Sequence, residues 1–483
     1  MSDLNALLDG YDPAASYCEM TAPNRLHEAG AAAILERLKS FNIEELQTRT
    51  SRVDREFYNL GITFTVYSEA DVIDRVLPFD VVPRVITASE WSVLEAGVKQ
   101  RVAAINAFLA DIYSDQKILG DNILPRDLVL GNANYRQEVH GIPLINNAYV
   151  NICGIDLIRD QAGIFRVLED NARTPSGVSY VIENRHMMLR VFADLFGSTQ
   201  VRGVDDYGMR LQQAMIDIAG PEASDPTVVL LSPGIFNSAF FEHVFLAREM
   251  GVPLVEGRDL YVDDDDRVYM NTIGGPERVD TIYRRVDDDF LDPEAFRADS
   301  MLGVPGLLRA WRAGKVAIAN AIGTGVADDK AIYAYMPRII QYYLGEETII
   351  PNVETHLCRE PEGLQYTLDN LAELVVKPVG ESGGYGMLIG PKSTQAEIDD
   401  FREKLTADPA NYISQPTIDL SVSPTVTEDG LRARHVDLRP FAITGKDTWV
   451  LPGGLTRVAL KEGSLVVNSS QGGGSKDTWV LSE

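Results

Sequence analysis

Two short stretches of this chain carry residues whose types and spacing suit phosphate and metal chemistry. In ELVVKPVGESGGYGMLIG, Glu373 to Gly390, the β-branched pair Val375 and Val376 leads into Lys377 and then into Gly380, Gly383, Gly384 and Gly386. Glycines let backbone N–H groups approach phosphate oxygens closely and form an anion-binding concavity. A lysine at the end of the strand adds a point charge for the same phosphates. The stretch is not a P-loop, because no G-x-x-x-x-G-K-[ST] string exists in the chain. Gly323 and Gly325 do not make a dinucleotide fingerprint either, since Asp328 stands where the third glycine belongs.

The second stretch is GIDLIRDQAGIFRVLEDNARTPSGVS, Gly154 to Ser179. Two β-rich runs flank Asp160-Gln161-Ala162-Gly163, which predicts a hairpin. Asp156 and Glu169 fall on its two arms, and Asn171 follows Glu169 at i+2, on the same face of a strand. Three hard oxygen ligands on a rigid sheet suit Mg²⁺ shared with substrate phosphates. A charged, solvated hairpin face is the alternative that these residues leave open.

The elements that must position these groups read as follows. At 483 residues the chain calls for two or three lobes. Apolar content of 45% and charged content of 24% are those of a soluble globular enzyme. A net charge of −27 argues against nucleic acid and against an anionic membrane surface. Phosphate binding then needs cations focused locally and a metal. Cys18, Cys153 and Cys358 form no CxxC pair, so neither a disulfide framework nor a structural zinc is expected. The first residues lack a signal pattern and no run reaches membrane-spanning length, so a cytoplasmic location is expected.

Up to about Pro143 the pattern is mainly helical, broken by a strand-like piece at 61–67. Ser89–Tyr113 has the clearest amphipathic period, with Ser89 as the expected N-cap. From Thr227 to Asn320 strands and helices alternate, which predicts a doubly wound lobe with a parallel sheet. The Asp263–Asp266 run reads as a solvated hairpin tip, not a calcium loop. A helical section follows Asp328, and the part after about Tyr412 is strand-rich. KDTWVL occurs at Lys446–Leu451 and at Lys476–Leu481, read as two strands in similar environments. His186 sits on a Met- and Leu-rich helical stretch and reads as a packed residue. Asn468-Ser469-Ser470 fits a glycosylation sequon to which no role is assigned.

Taken together, the two stretches resemble the site of the ATP-grasp ligases. The Asp156 strand, Glu169-x-Asn171 and the Thr174–Gly177 turn resemble the family's metal-binding end. Lys377 with Glu381, Ser382, Gly383, Gly384, Tyr385 and Gly386 resembles its phosphate-covering loop, and Lys330 its other ATP lysine. Tyr412–Pro416, including Gln415, resembles the hinge strand that contacts adenine, and Arg439 a substrate- or phosphate-binding arginine. Members of the family ordinarily carry the metal hairpin last, whereas here it precedes both lysines. The chain is therefore identified as a circularly permuted ATP-grasp protein (type 2), related to glutathionylspermidine synthase-like carboxylate–amine ligases.

That resemblance implies an α/β (α+β) fold with a helical N-terminal region at 1–145 and the metal-binding part of the C-lobe at 146–200. A Rossmann-like lobe at 205–325 and the lysine and glycine-loop lobe with the rest of the C-lobe at 326–483 complete it. The strands of Asp156 and Glu169 should lie in one sheet with those around Arg439 and Val466. The implied reaction is ATP- and Mg²⁺-dependent joining of a small-molecule or peptide carboxylate to an amine through an acyl phosphate. Asp156, Glu169 and Asn171 would hold the metal, and Arg439, Arg457 and Arg173 would serve the reacting groups. Arg457 could equally be a structural surface arginine. A phosphotransferase and a nucleotide-binding scaffold without turnover are the competing readings. The acid, the amine and the oligomeric state are not legible in the chain.

Overall fold

A computed structural model describes residues 6–8, 10–26, 29–67, 72–196, 200–220, 223–380, 386–467 and 472–482. Its centre is a nine-stranded sheet built from both ends of the chain. In chain order the strands are β1 (Phe79–Ile86), β2 (Ile152–Arg159), β3 (Phe165–Asn171), β4 (Val422–Thr427), β5 (Gly430–Arg439), β6 (Phe441–Thr444), β7 (Thr448–Val450), β8 (Leu455–Val458) and β9 (Gly474–Val480). They lie in the order β7-β6-β2-β5-β8-β9-β1, with β3 paired to β2 and β4 to β5.

The sheet corrects several expectations. FDVVPRVI is a fully buried strand, β1, inside the stretch read as mainly helical, and it pairs in parallel with β9. Its pattern is a continuous apolar run, which periodicity cannot separate from a buried helical turn. Arg439 does lie in the sheet of Asp156 and Glu169, but Val466 lies in an irregular segment. The strand beside β5 is β8, through the pairs Asp437–Arg457 and Arg439–Leu455. The two KDTWVL copies occupy unlike places. Lys446 is exposed on the edge next to β7, whereas Lys476, in the interior strand β9, is fully buried against Asp80.

Helix Ala88–Ile112 packs Trp91, Val98, Val102, Ile105 and Phe108 into the main core at 0–1% exposure. Each such side chain contributes roughly 1.5–3 kcal/mol through burial. The helix is capped two residues earlier than expected. Thr87 is the N-cap, with Glu90 closing a capping box onto the Thr87 backbone N–H at 3.1 Å.

Strands Val228–Leu231, Leu254–Val255, Thr281–Arg284 and Ala317–Ala319 form a four-stranded parallel sheet, as the alternation predicts. Asp263–Asp266 turns the antiparallel hairpin Leu260–Val262/Val268–Thr272. A separate antiparallel sheet joins His356–Leu357, Tyr412–Pro416, Leu374–Pro378 and Leu388–Ile389 in that order. Leu374, Val376 and Leu388 from it bury against Ile398, Phe401 and Leu405 of helix Gln395–Ala407. Alternation then turns Val375 and Lys377 to the opposite face. Among the described residues, no helix is long and apolar enough to cross a membrane.

Candidate active site

The β2–β3 hairpin pairs Asp156 directly with Glu169 and Gly154 with Asn171, so all four face the same way. A bulge beside Asp156 absorbs Leu168 and ends that alignment, which restores Leu157 opposite Val167. Gly154 has a steric reason for lacking a side chain. A Cβ there would stand 3.2 Å from Cδ of Arg439 and 3.2 Å from Cβ of Pro175. Arg439, the last residue of β5, crosses over this gap to reach Asp156.

Both oxygens of Asp156 are engaged by arginines. Arg439 donates Nε to Oδ1 and Nη2 to Oδ2, the latter at 2.8 Å, and Arg457 donates Nη2 to Oδ2 at 2.6 Å. Asn171 Nδ2 lies 3.5 Å from Asp156 Oδ1. Arg457 is 6% exposed, so it does not lie on the surface. Its Nε donates to Asp437, its cross-strand partner, at 3.0 Å. Burial alone would raise the Asp156 carboxyl, but Arg439 and Arg457 hold it well below the usual carboxylate range. Burial raises Asp437 above its ordinary value despite the same arginine.

Glu169 is less satisfied. Burial and the neighbouring Asp156 charge raise its carboxyl, against Lys330 at 3.9 Å and Arg439 at 4.0 Å. Lys330 opens the short helix Lys330–Ala334, capped by Asp329, which accepts from the Ala331 N–H at 2.8 Å. The Lys330 backbone N–H donates to the Val379 carbonyl at 3.1 Å, which ties this lysine to the base of the glycine loop. Lys377 reaches diagonally along its sheet to donate to Gln415 Oε1 at 2.7 Å, and Gln415 donates to Thr355 Oγ1 at 3.0 Å. Burial lowers the Lys377 ammonium to about 8, helped by Lys330 and opposed by Glu169.

Asp156, Glu169, Asn171, Lys330, Lys377, Gln415, Arg439 and Arg457 thus form one electrostatically coupled cluster from distant segments. Lys330, Lys377, Arg439 and Arg457 outnumber the carboxylates of Asp156, Glu169 and Asp437, in a chain whose net charge is −27. A locally cationic site in an acidic protein is suited to a polyphosphate. Arg173 stands apart from the Asp156 pair, with Nε 3.4 Å from Asp328 and 3.8 Å from Asp287. Burial raises Asp328 to about 6, and it accepts the Ala172 N–H at 2.5 Å. Gly386 turns the end of the glycine loop with φ +68°. Glu381, Ser382, Gly383, Gly384 and Tyr385 lie outside the described residues, as do Asn468, Ser469 and Ser470. His186 is not packed in the core: its side chain is 37% exposed, between Glu183 and Asp205.

Sequence reading passed over Asp437 and Asn320, and gave Asp328 no role of its own. Asp437 had a signal, since it shares a strand face with Arg439 at i−2. Asn320 had none. It is 2% exposed and spans two segments, accepting the N–H groups of Asn151 and Ile152 at 2.7 Å and donating to the Ala172 carbonyl at 2.9 Å.

This arrangement, an acidic hairpin, two lysines from separate segments and a parallel-sheet lobe, occurs in a chain whose family match makes it an ATP-dependent ligase of the ATP-grasp class, which forms C–N bonds. The chain belongs to the circularly permuted ATP-grasp type 2 family, whose model matches residues 83–459. An uncharacterized protein of Synechocystis is 50% identical over 475 residues, covering 98% of each chain. One from Mycobacterium tuberculosis is 54% identical over 438 residues, or 90% of this chain and 79% of that one. A Frankia casuarinae protein provisionally named glutamate–cysteine ligase 2-2 is 41% identical over 98% of this chain, which spans 54% of its length. The apo structure of a glutathione synthetase-like effector from Globodera pallida shares the fold at a TM-score of 0.59 and 11% identity, covering 91% of this chain and 98% of that one.

Proposed function

We propose that this protein joins a carboxylate to an amine, using ATP and Mg²⁺, through an acyl phosphate and with release of ADP and phosphate. The observation that carries the reading is the coupling of Lys330, Lys377 and Arg439 to the Glu169 carboxylate at one end of the β2–β3 hairpin. Glu169 and Asn171 fit a hard divalent cation. Glu169 is a carboxylate whose charge its surroundings disfavour, and the Asn171 amide turns its nitrogen to Asp156, which leaves its oxygen as a donor. Asp156 faces the same way, with both its oxygens held by Arg439 and Arg457, so it would complete the metal site only by sharing them.

When bound, Mg²⁺ screens the triphosphate and polarises the transferred phosphoryl group. Lys330 and Lys377 add fixed positive charge to the same oxygens, so the acid's carboxylate can approach the γ-phosphorus. Arg439 and Arg457, oriented by Asp156 and Asp437, are placed to stabilise the acyl phosphate as charge shifts onto it. An amine then displaces phosphate from the carbonyl carbon and loses a proton to leave the amide. Arg173, paired with Asp328 and Asp287, is a further candidate for the reacting groups. The name of the Frankia relative supports a ligase acting on amino acids, although it describes a protein nearly twice as long.

The test supplies purified protein with Mg²⁺, ATP and pools of amino acids, short peptides and polyamines. ADP and free phosphate should appear in step with an amide. Phosphate retained on the acceptor would instead show a phosphotransferase, and no acceptor-dependent turnover would show a scaffold.

A further inference from the structure

The turn Thr174–Gly177 links the hairpin to helix Val178–Val191, and the parallel-sheet lobe grips it through two buried charges. Glu242, on helix Phe240–Met250, is 1% exposed. Its Oε2 accepts the Gly177 N–H at 2.7 Å, the Ser179 N–H at 3.2 Å and the Ser179 hydroxyl at 2.9 Å. These are donors at the start of the helix, where a carboxylate is favoured. Arg285 follows the strand Thr281–Arg284 and is 6% exposed. It donates to Glu242 Oε1 at 3.2 Å, to the Pro175 carbonyl at 2.7 Å and to the Tyr283 hydroxyl at 3.1 Å. Within that gripped turn, the Ser176 carbonyl accepts Nη1 of Arg439 at 3.2 Å. Gly177 at φ +110° lets the chain enter the helix, and a Cβ there would meet Leu455 Cδ2 at 2.8 Å. The turn is therefore confined from both sides.

We propose that Glu242 and Arg285 are positioning residues for the reaction: they hold the Thr174–Gly177 turn, and through the Ser176 carbonyl they set the guanidinium of Arg439 over the hairpin. Neither touches the Asp156–Glu169 pair, and their chemistry differs from that of the site. Glu242 and Arg285 carry the parallel-sheet lobe's position to Arg439, so a small displacement of that lobe is felt at its guanidinium. The kinetic form of this inference rests on the ligase reading above; its geometric form does not.

The experiment compares wild type with Glu242→Gln, Arg285→Lys and the milder Ser179→Ala, each alone and combined with Arg439→Lys. Glu242→Gln keeps the side chain's shape but leaves only one acceptor oxygen for Arg285 and the helix donors. The expected result is a kcat for Mg²⁺-dependent ATP turnover that falls roughly 10- to 100-fold, with KM for ATP changing less than about threefold. Ser179→Ala should show a smaller loss of the same kind. In the Arg439→Lys background the Glu242→Gln loss should largely vanish, because the two changes act on one interaction. Undiminished kcat in the single variants, or losses that simply multiply with Arg439→Lys, overturns the proposal. Crystal structures of wild type and Glu242→Gln supply a readout that needs no turnover. An unmoved Ser176 carbonyl and Arg439 guanidinium in the variant overturns the proposal. Absence of turnover in wild type defeats the ligase reading alone and leaves this structural comparison to decide.

Discussion

Asp156 and Arg439 lie 283 residues apart in the chain and meet in a two-point ion pair on neighbouring strands. The pair decides how the acidic hairpin and the arginine strand share one face. Asp156 is 1% and the Arg439 side chain 11% exposed, so neither charge is solvated well enough to stand alone. Arg439→Met should therefore lower unfolding stability, by less than the about 3–5 kcal/mol of stranding one partner of a buried pair, because Arg457 still donates to Asp156 Oδ2. Asp156→Asn in the same chain should recover part of it, measured by urea unfolding.

The same pair gives an acid limb to stability. The Asp156 carboxyl lies below its ordinary value when folded, so the folded state releases its proton more readily than the unfolded chain. Its contribution is present above the unfolded carboxylate range, about pH 4, and is lost as pH falls below it. Melting temperature followed from pH 6 to pH 3 should fall less steeply in Asp156→Asn than in wild type.

Glu169→Gln should separate folding from chemistry. Burial and Asp156 disfavour its charge, so the amide should leave the nucleotide-free melting temperature unchanged or raised. Mg²⁺-dependent ATP turnover should fall on the order of 10²–10³-fold. Full activity in this variant would defeat the metal assignment.

Lys377 predicts proton uptake on nucleotide binding. Burial lowers its ammonium to about 8, so above that pH the free protein holds it largely neutral. Between pH 8 and its ordinary 10.5 the unfolded chain binds more protons, so its cost to folding is complete below 8 and fades as pH rises. Phosphates favour the charged form. Calorimetry near pH 9, in buffers of differing ionisation enthalpy, should find about one proton taken up with ATP, little near pH 6.5, and none at either pH in Lys377→Met.

Gly154→Val tests the space through which Arg439 passes. Even a Cβ would press on Arg439 and Pro175 at 3.2 Å, and a branched side chain cannot fit without moving one of them. Turnover should drop, and a crystal structure should show the guanidinium displaced from Asp156. An undisturbed ion pair would refute the packing account.

Much of the site was legible because its local periods are short. Asp156, Glu169 and Asn171 share a face as the strand period of two requires, and the Asp160–Gly163 turn sets them opposite one another. The parallel sheet from Val228 to Ala319 followed from alternating strand and helix signals. Lys377 stands on the face opposite the buried Val376, again by alternation.

Other features depended on partners remote in the chain. Thr87, not Ser89, caps the long helix because Glu90 reaches back to its backbone, a choice that differs by two residues in a polar-rich start. Arg457 has an unremarkable local sequence, yet register places it between Asp437 and Asp156. β1 reads like any apolar run until β9 pairs beside it. Sequence by itself determined which residue types could serve a nucleotide and a metal, since chemistry and local periodicity travel with the chain. Only the tertiary structure decided which arginines orient Asp156, which lobe grips the Thr174–Gly177 turn and what a side chain at Gly154 would strike. Those contacts are fixed by sheet order and register between segments far apart, which no local period encodes.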